Sequence, residues 1–204
     1  MYVGEDQVRA ARECYGVPQD VLVEQEIQPW EMDLIERVCG DTRFHDVTIF
    51  ILRGEEMALI HKPSEPPGAF WAPAGGVCPG EGLADAVRRE AWEETGLQVE
   101  PSRYVLRMQA LFTCGPRRRP WTSHVFLADH LSGEPDPVDT GEVESAAWVS
   151  FDSFREQVAP VLLDSGWGRF CYRLMISECL YEMLGLPPLT VCQRPAPSPD
   201  DEVG

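Results

Sequence analysis

Basic side chains are scarce in this sequence. Lysine and arginine together number 17, against 34 aspartate and glutamate residues, which gives a formal net charge of −17 at pH 7. A surface that acidic repels phosphodiester backbones and anionic lipid headgroups. We therefore expect neither a nucleic-acid polymer nor a membrane as the partner. A small anionic substrate stays open if a local site supplies a metal ion or arginine.

Long apolar runs and paired cysteine motifs are missing too. The longest apolar stretches, such as VTIFIL at 47–52, are far too short to cross a bilayer. The start, MYVGEDQVRAARE, has no apolar signal core. The seven cysteines are odd in number and include no C-x-x-C pair, which disfavours a disulfide framework and a zinc site. The sequence thus predicts a soluble, cytoplasmic protein.

Two common phosphate-binding motifs are also absent. The chain has no G-x-x-x-x-G-K-[ST] motif, and no G-x-G-x-x-G follows a predicted strand. These absences exclude the P-loop and the dinucleotide-binding fingerprint.

The periodicity of apolar residues predicts an α/β fold. β-rich runs surround one central helix, which is predicted from about Leu83 to Thr95 and ends at Gly96. This arrangement of strands around a helix favours a mixed sheet. The prediction divides the chain into a helical N-terminal extension (1–42), the α/β core (43–150), C-terminal helices packing on the core (151–189) and a disordered tail (190–204).

The central helix carries an unusual group of like charges. Glu90, Glu93 and Glu94 share one helix face, because residues three and four apart are neighbours. Two such carboxylates about 5 Å apart repel by roughly 3 kcal/mol at an effective dielectric constant near 20. A bound Mg²⁺ or Mn²⁺ ion would reverse that penalty, because hard divalent cations prefer carboxylate oxygens. The alternative is a solvated acidic helix face.

The residues around these glutamates follow a longer pattern. From Gly75 to Leu97 the sequence reads G-x5-E-x7-R-E-U-x-E-E-x-G-U, where U is apolar, with Glu81 at the first acidic position. This pattern resembles the box of the Nudix hydrolases at every specified position. The resemblance implies a Nudix α/β/α sandwich with a mixed β-sheet, extended here by extra N- and C-terminal helices.

The resemblance also implies roles for individual residues. The cofactor would be Mg²⁺, with Mn²⁺ as the other possibility, and Arg89 would orient the carboxylates. Glu90 is the first choice for general base, and Glu93 is the next catalytic candidate. An acid outside the box usually completes the site, for which we prefer Glu142 to Glu144. The expected metal ligands are Glu90, Glu93, Glu94, the backbone carbonyl of Ala74, and Glu142.

The implied activity is hydrolysis of a nucleoside diphosphate linked to another moiety. Pro-Ala-Gly-Gly at 73–76 resembles the Pro-Ala-Gly of many ADP-sugar pyrophosphatases, so ADP-ribose or an NDP-sugar is the preferred substrate. Thr113, however, stands where ADP-ribose members tend to carry proline. The candidates for substrate binding are Arg118, Trp121, Trp71 and Glu81. Each has an alternative interpretation. Arg118 and Trp121 would lie at a solvated hairpin tip, Trp71 would pack in the core, and Glu81 would support the loop.

Other functions are weighed against this one. A (d)NTP is the second substrate class. A non-catalytic nucleotide sensor would usually lose the box glutamates, and a prenyl diphosphate isomerase would usually depart from the consensus. The helical run FCYRLMISECLYEML at 170–184 is predicted to be a packing element or the surface of a homodimer.

Overall fold

A computed structural model describes residues 3–40 and 44–189. The expected disordered tail, 190–204, lies outside the described residues. In chain order the elements are α1 (Glu5–Tyr15), β1 (Gln19–Glu26), α2 (Pro29–Cys39), β2 (His45–Arg53), β3 (Glu56–His61), β4 (Ala74–Gly76), α3 (Leu83–Thr95), β5 (Gln98–Cys114), β6 (Arg117–Ser132), β7 (Ser145–Ser150), α4 (Phe151–Ser153), a π-helical turn (Phe154–Val158), α5 (Ala159–Asp164) and α6 (Gly168–Leu184).

One mixed sheet organises the described part of the chain. Its strands lie in the order β1-β5-β6-β2-β3-β7, and the short β4 pairs with β2 beside this path. Strands β1 and β5 run parallel, as do β2 and β6, whereas the other neighbours are antiparallel. The prediction of an α/β fold with a mixed sheet is confirmed.

Helices cover both faces of the sheet. Alternate side chains of β2 point to opposite faces, so Val47, Ile49 and Ile51 pack with α1 and α3, while Phe50 packs with α2 and α6. These two hydrophobic clusters are the two halves of the core. None of the helices in the described ranges is long and apolar enough to span a membrane.

The central helix has the predicted bounds. Helix α3 begins after Gly82, and Gly96 ends it in the left-handed conformation with φ of 70°. A Cβ atom at Gly96 would also lie 2.3 Å from the backbone oxygen of Asp136, so only glycine fits here. Ala91 and Leu97 are fully buried in the core.

The prediction that 1–42 is entirely helical is wrong. Both expected helices are present, but Gln19–Glu26 between them forms a strand that adds to the sheet beside β5. This edge strand is polar on most positions, and its hydrogen-bonding partner is far away in the chain. The extension is therefore part of the central sheet.

The N-terminal helix α2 holds the C-terminal helix α6 in place. The side chain of Glu31, fully buried, accepts hydrogen bonds from the backbone N–H groups of Gly168 and Arg169, at 3.0 Å each. A carboxylate at a helix N-terminus is favourable because it satisfies unpaired N–H groups and the helix dipole. This contact brings both helices to the same side of the sheet, next to Ala74–Gly76.

Candidate active site

Helix α3 turns its acidic face toward strand β4. Glu90 and Glu94 are buried, at 9% and 2% exposure, whereas Glu93 is half-buried. The backbone N–H of Ala74 donates to Glu94 Oε2 at 2.7 Å, which ties the helix to the strand. The three carboxylates are thus not a solvated helix face, since two of them are withdrawn from water.

Arg89 connects the acidic groups to the loop before the helix. Its guanidinium donates to Glu90 Oε1 at 2.7 Å, to Glu93 Oε2 at 3.0 Å and to the backbone oxygen of Gly76 at 2.8 Å. Both oxygens of Glu81 accept further bonds from Arg89 at 2.7 and 2.8 Å. Such charge-assisted bonds hold several carboxylates in one arrangement.

Gly75 lies directly against Glu90. A Cβ atom at this position would be 1.9 Å from the carboxyl carbon of Glu90. The glycine of the box is therefore required by close approach, because any side chain would displace the carboxylate.

A lysine, not noticed in the sequence, touches two of the acidic groups. Lys62 Nζ lies 2.7 Å from Glu94 Oε1 and 3.4 Å from Glu142 Oε2. Burial alone would lower the pKa of Lys62, but the neighbouring Glu94 carboxylate outweighs burial and raises it. Burial also raises the pKa of Glu94, against the opposing effect of Lys62.

The pKa of Glu90 is raised well above its ordinary value. Burial raises its pKa to about 7, the charges of Glu94 and Glu93 add to the shift, and the hydrogen bond from Arg89 opposes it. A carboxyl group with this pKa is partly protonated near neutral pH. Burial, the largest cause of this shift, therefore disfavours the charged form of Glu90.

This shift predicts a pH dependence of stability without metal. The folded-state pKa of about 7 exceeds the ordinary value of 4.5, so the stabilisation is fully present below pH 4.5 and is lost as pH rises through 7. We expect the free energy of unfolding to fall by roughly 2–4 kcal/mol across this window from Glu90 alone. Urea unfolding in EDTA at several pH values measures it. Glu90→Gln should remove the contribution of Glu90 to the pH dependence of the free energy of unfolding. If the variant and the unmodified chain show the same pH dependence, Glu90 is not its cause.

The donor chemistry of this face fits a hard divalent cation. Glu90, Glu93 and Glu94 offer carboxylate oxygens, and a divalent ion would offset the cost of burying the charge of Glu90, which its raised pKa reflects. Within the described residues, however, no three acidic, histidine or cysteine side chains are grouped closely enough to hold a metal ion. Arg89 and Lys62 contact these carboxylates instead, so metal binding requires side-chain rearrangement.

A cavity of about 360 Å³ opens beside the acidic face. Ala74 and Gly75 form one edge of it, and Leu34, Ile35 and Val38 of helix α2 form an apolar wall. Five aromatic side chains also line the cavity: Trp71, Phe112, Trp121, Phe170 and Tyr172. An apolar and aromatic cavity with a few convergent polar groups is typical of a small-molecule site.

The cavity collects positive charge in an acidic protein. Lys62, Arg169 and Arg173 all line it. The guanidinium carbon of Arg173 lies 4.4 Å from the ring centre of Trp71, and its Nη1 donates to Thr48 Oγ1 at 3.1 Å.

Two acidic residues, Asp46 and Glu142, also line the cavity. Arg173 Nη2 lies 3.7 Å from Asp46 Oδ2, and Arg169 Nη2 lies 3.2 Å from Glu65 Oε1, so these cations already have acidic partners that an anionic ligand would share.

The structure separates the predicted substrate-binding residues into two groups. Trp71 and Trp121 line the cavity, as do the predicted ligands Ala74 and Glu142. Arg118 does not: it is exposed at the hairpin tip and donates to the backbone oxygens of Gly115 and Arg117. Nearby carbonyl groups accept hydrogen bonds from the Arg118 guanidinium, so the assignment of Arg118 to the substrate stays a prediction that this cavity does not support.

Glu81, the other predicted substrate-binding residue, is also outside this cavity. Its oxygens accept from Arg89 and, at 2.8 Å, from the backbone N–H of Cys78. These hydrogen bonds outweigh burial and lower the pKa of Glu81. Its contacts support the loop, which was the alternative interpretation.

The sequence did contain a signal for the missed arginines. Arg169 and Arg173 stand four residues apart on α6, so they share one face of a largely apolar helix. Two cations on the inward side of a helix need anionic partners, which Glu31 and Glu65 supply for Arg169 and Asp46 supplies for Arg173. Lys62 gave no comparable signal, because nothing local distinguishes it from a surface lysine.

Comparison with protein families gives the class of this protein. The family model of the NUDIX domain matches residues 42–164, a range that includes strands β2 to β7 and helix α3. The chain therefore belongs to the NUDIX domain family, as the box pattern predicted.

Two individual proteins of known name are similar to part of this chain. The NAD-capped RNA hydrolase NudC of Chromobacterium violaceum is 31% identical over 127 residues, which cover 60% of this chain and 45% of that protein. The NAD-capped RNA hydrolase NUDT12 of Homo sapiens is 37% identical over 109 residues, covering 53% of this chain and 21% of that protein. The chain thus spans less than half the length of either relative.

A solved structure supports the fold. A NUDIX hydrolase from Nitrosomonas europaea superposes with a TM-score of 0.52 at 26% identity, covering 77% of this chain and 100% of that one. The predicted Nudix sandwich is confirmed.

Proposed function

We propose that the chain is a metal-dependent pyrophosphohydrolase that cleaves a nucleoside diphosphate linked to a second moiety. The observation that carries this proposal is the juxtaposition of a buried acidic helix face with a cationic, aromatic cavity. Glu90, Glu93 and Glu94 would hold Mg²⁺ or Mn²⁺, together with the Ala74 carbonyl and Glu142. When bound, such an ion neutralises phosphate oxygens and lowers the pKa of a water molecule.

The chain's own residues would complete the reaction. The water oxygen bonds to one phosphorus of the diphosphate, the bond from that phosphorus to the bridging oxygen breaks, and two phosphate monoesters leave. Glu90 accepts the proton of the water, while Arg89 holds Glu90 and Glu93 in position. Arg173 and Lys62 bind phosphate oxygens, and Trp121 packs against the base.

Among substrates, we favour a free dinucleotide or ADP-ribose type of diphosphate. NAD, which appears in the names of the two relatives NudC and NUDT12, consists of two nucleosides joined through a diphosphate. The apolar wall and aromatic side chains of the cavity suit a base. A net charge of −17 disfavours the remainder of a long RNA, so we propose a small-molecule substrate rather than a capped transcript.

A panel assay tests the proposal. The full chain is incubated with Mg²⁺ or Mn²⁺ and with NADH, ADP-ribose, NDP-sugars, (d)NTPs or an NAD-capped RNA, and the products are separated. We expect AMP from NADH or ADP-ribose. Pyrophosphate from a (d)NTP would indicate the second substrate class, and cleavage only of the capped RNA would overturn the small-molecule assignment. Tight nucleotide binding without any product would indicate a sensor.

Arg173 provides a specific prediction for the cavity. Arg173→Met is expected to raise KM at least about tenfold with a smaller change in kcat, because one charge-assisted phosphate contact is lost. Steady-state kinetics on the best substrate of the panel measure both constants. Arg155→Met is the matched control, since Arg155 pairs with Asp152 and Glu156 away from the cavity. An unchanged KM would remove Arg173 from the substrate site.

A further inference from the structure

Lys62 lies at the centre of the predicted metal site. Its ammonium group contacts Glu94 at 2.7 Å and Glu142 at 3.4 Å, and both carboxylates are expected metal ligands. The side chain comes from the end of strand β3, on the opposite side of the site from Arg89. It also faces Trp71, with Nζ 5.3 Å from the ring centre. A positive charge of the protein itself is thus directed at the oxygens that a divalent cation would need.

A divalent cation and the ammonium of Lys62 would compete for the same oxygen of Glu94. Glu94 is almost completely buried, and its second oxygen is already bonded to the backbone N–H of Ala74, so Oε1 is the oxygen left for an ion. A divalent cation at Oε1 would stand against the ammonium of Lys62, and like charges in a buried site repel strongly. Metal binding therefore requires Lys62 to leave Glu94.

We propose that Lys62 is the built-in counter-cation of the carboxylate cluster, which competes with the divalent metal for Glu94 and moves into the cavity when the metal binds. This inference rests on the proposed metal-dependent function and concerns the regulation of that same site. Without metal, the ion pair avoids an unpaired buried carboxylate, which is costly. With metal, Lys62 joins Arg173 at the cavity, where the anionic substrate binds.

The competition has a functional consequence. Because the metal must displace an internal cation, metal affinity without substrate is weaker than the carboxylates alone would give. A substrate phosphate that receives the displaced ammonium compensates for this cost. Metal and substrate are then expected to strengthen each other's binding, since coupling between two sites is reciprocal.

Metal binding without substrate tests the proposal. The full chain and its Lys62→Met variant are titrated with Mn²⁺ at pH 8, and free Mn²⁺ is followed by electron paramagnetic resonance. Methionine keeps the length of the side chain and removes the charge. We expect the variant to bind Mn²⁺ about tenfold more tightly. Lys62→Arg, which keeps the charge, should bind within about twofold of the unmodified chain.

Thermal unfolding gives a second readout. In EDTA, Lys62→Met should unfold at a lower temperature than the unmodified chain, because Glu94 loses its partner, and added Mn²⁺ should raise its unfolding temperature more. If methionine prevents folding, Lys62→Gln is used in the same two measurements. Equal or weaker Mn²⁺ binding by the uncharged variants would overturn the competition.

The Glu94→Gln variant separates this inference from the proposed function. If the unmodified chain binds Mn²⁺, the glutamine variant does not, and Lys62→Met binds no more tightly, then only the role of Lys62 fails. If Glu94→Gln binds as well as the unmodified chain, Glu94 is not a ligand and the competition fails with it. If no form of the chain binds Mn²⁺, the proposed metal-dependent function fails as well.

Discussion

Glu94→Gln is expected to reduce kcat at least about a hundredfold at saturating Mg²⁺, the effect of losing one strong transition-state contact. Glutamine has the size of glutamate and can still accept the hydrogen bond from the N–H of Ala74. It removes the negative charge that faces Lys62 at 2.7 Å. The change therefore tests the charge and not the packing. Single-turnover kinetics with the best substrate of the panel measure it.

The control for this variant is another glutamate of the same region. Glu100 is exposed and pairs with Arg88 at the surface, so Glu100→Gln should leave kcat within about twofold of the unmodified chain, as is usual for an exposed ion pair. Urea unfolding of both variants shows whether a loss of turnover comes from a loss of folded protein, because Glu94→Gln also removes the charged partner of Lys62. Near-normal turnover of Glu94→Gln would exclude Glu94 from the metal site.

The local features of this site were predictable from the sequence. The box helix, its glycine end and the crowding of Glu90, Glu93 and Glu94 are all properties of one short segment. Helix periodicity and capping depend on neighbouring residues, so the sequence specified them without knowledge of the fold. The family resemblance came from the same segment.

Features that depend on distant contacts were not predictable. Strand β1 pairs with β5 at the edge of the sheet, and its own sequence gives only a short strand signal, the alternating Val21 and Val23 among polar residues. Lys62 reaches Glu94 only because strand β3 ends beside helix α3. Arg118 is the opposite case: a positive charge in a turn suggests a ligand contact, whereas in the structure its guanidinium donates to nearby carbonyls.

The proposed substrate cavity likewise depends on elements outside the box. Its apolar wall is α2, and two of its cations, Arg169 and Arg173, come from α6, which Glu31 of α2 fixes in place. The acidic face supplies the chemistry that the family shares, whereas the extensions on both sides of the core shape the space beside it. We therefore expect substitutions in α2 to change substrate preference more than turnover.

Gly75→Ala tests whether Gly75 leaves the space that the carboxylate of Glu90 occupies. The new methyl group would lie 1.9 Å from the carboxyl carbon of Glu90, so the carboxylate must move. The end of a glutamate side chain moves easily, and we expect a stability loss of less than about 1 kcal/mol. Activity should fall at least about a hundredfold. The displaced carboxylate of Glu90 would no longer accept the hydrogen bond from Arg89 and would no longer contact the attacking water.

Gly82→Ala in the same loop is the matched control. Its Cβ atom would approach only the carboxylate of Asp85, at 3.2 Å, and the backbone there has φ of −69°, which alanine adopts freely. This variant should keep both stability and activity. Equal activity of the two alanine variants would mean that Glu90 works from another position, and a large loss of stability in Gly75→Ala alone would mean that the glycine serves the fold. Low activity with unchanged unfolding is the result that assigns Gly75 to the placement of Glu90.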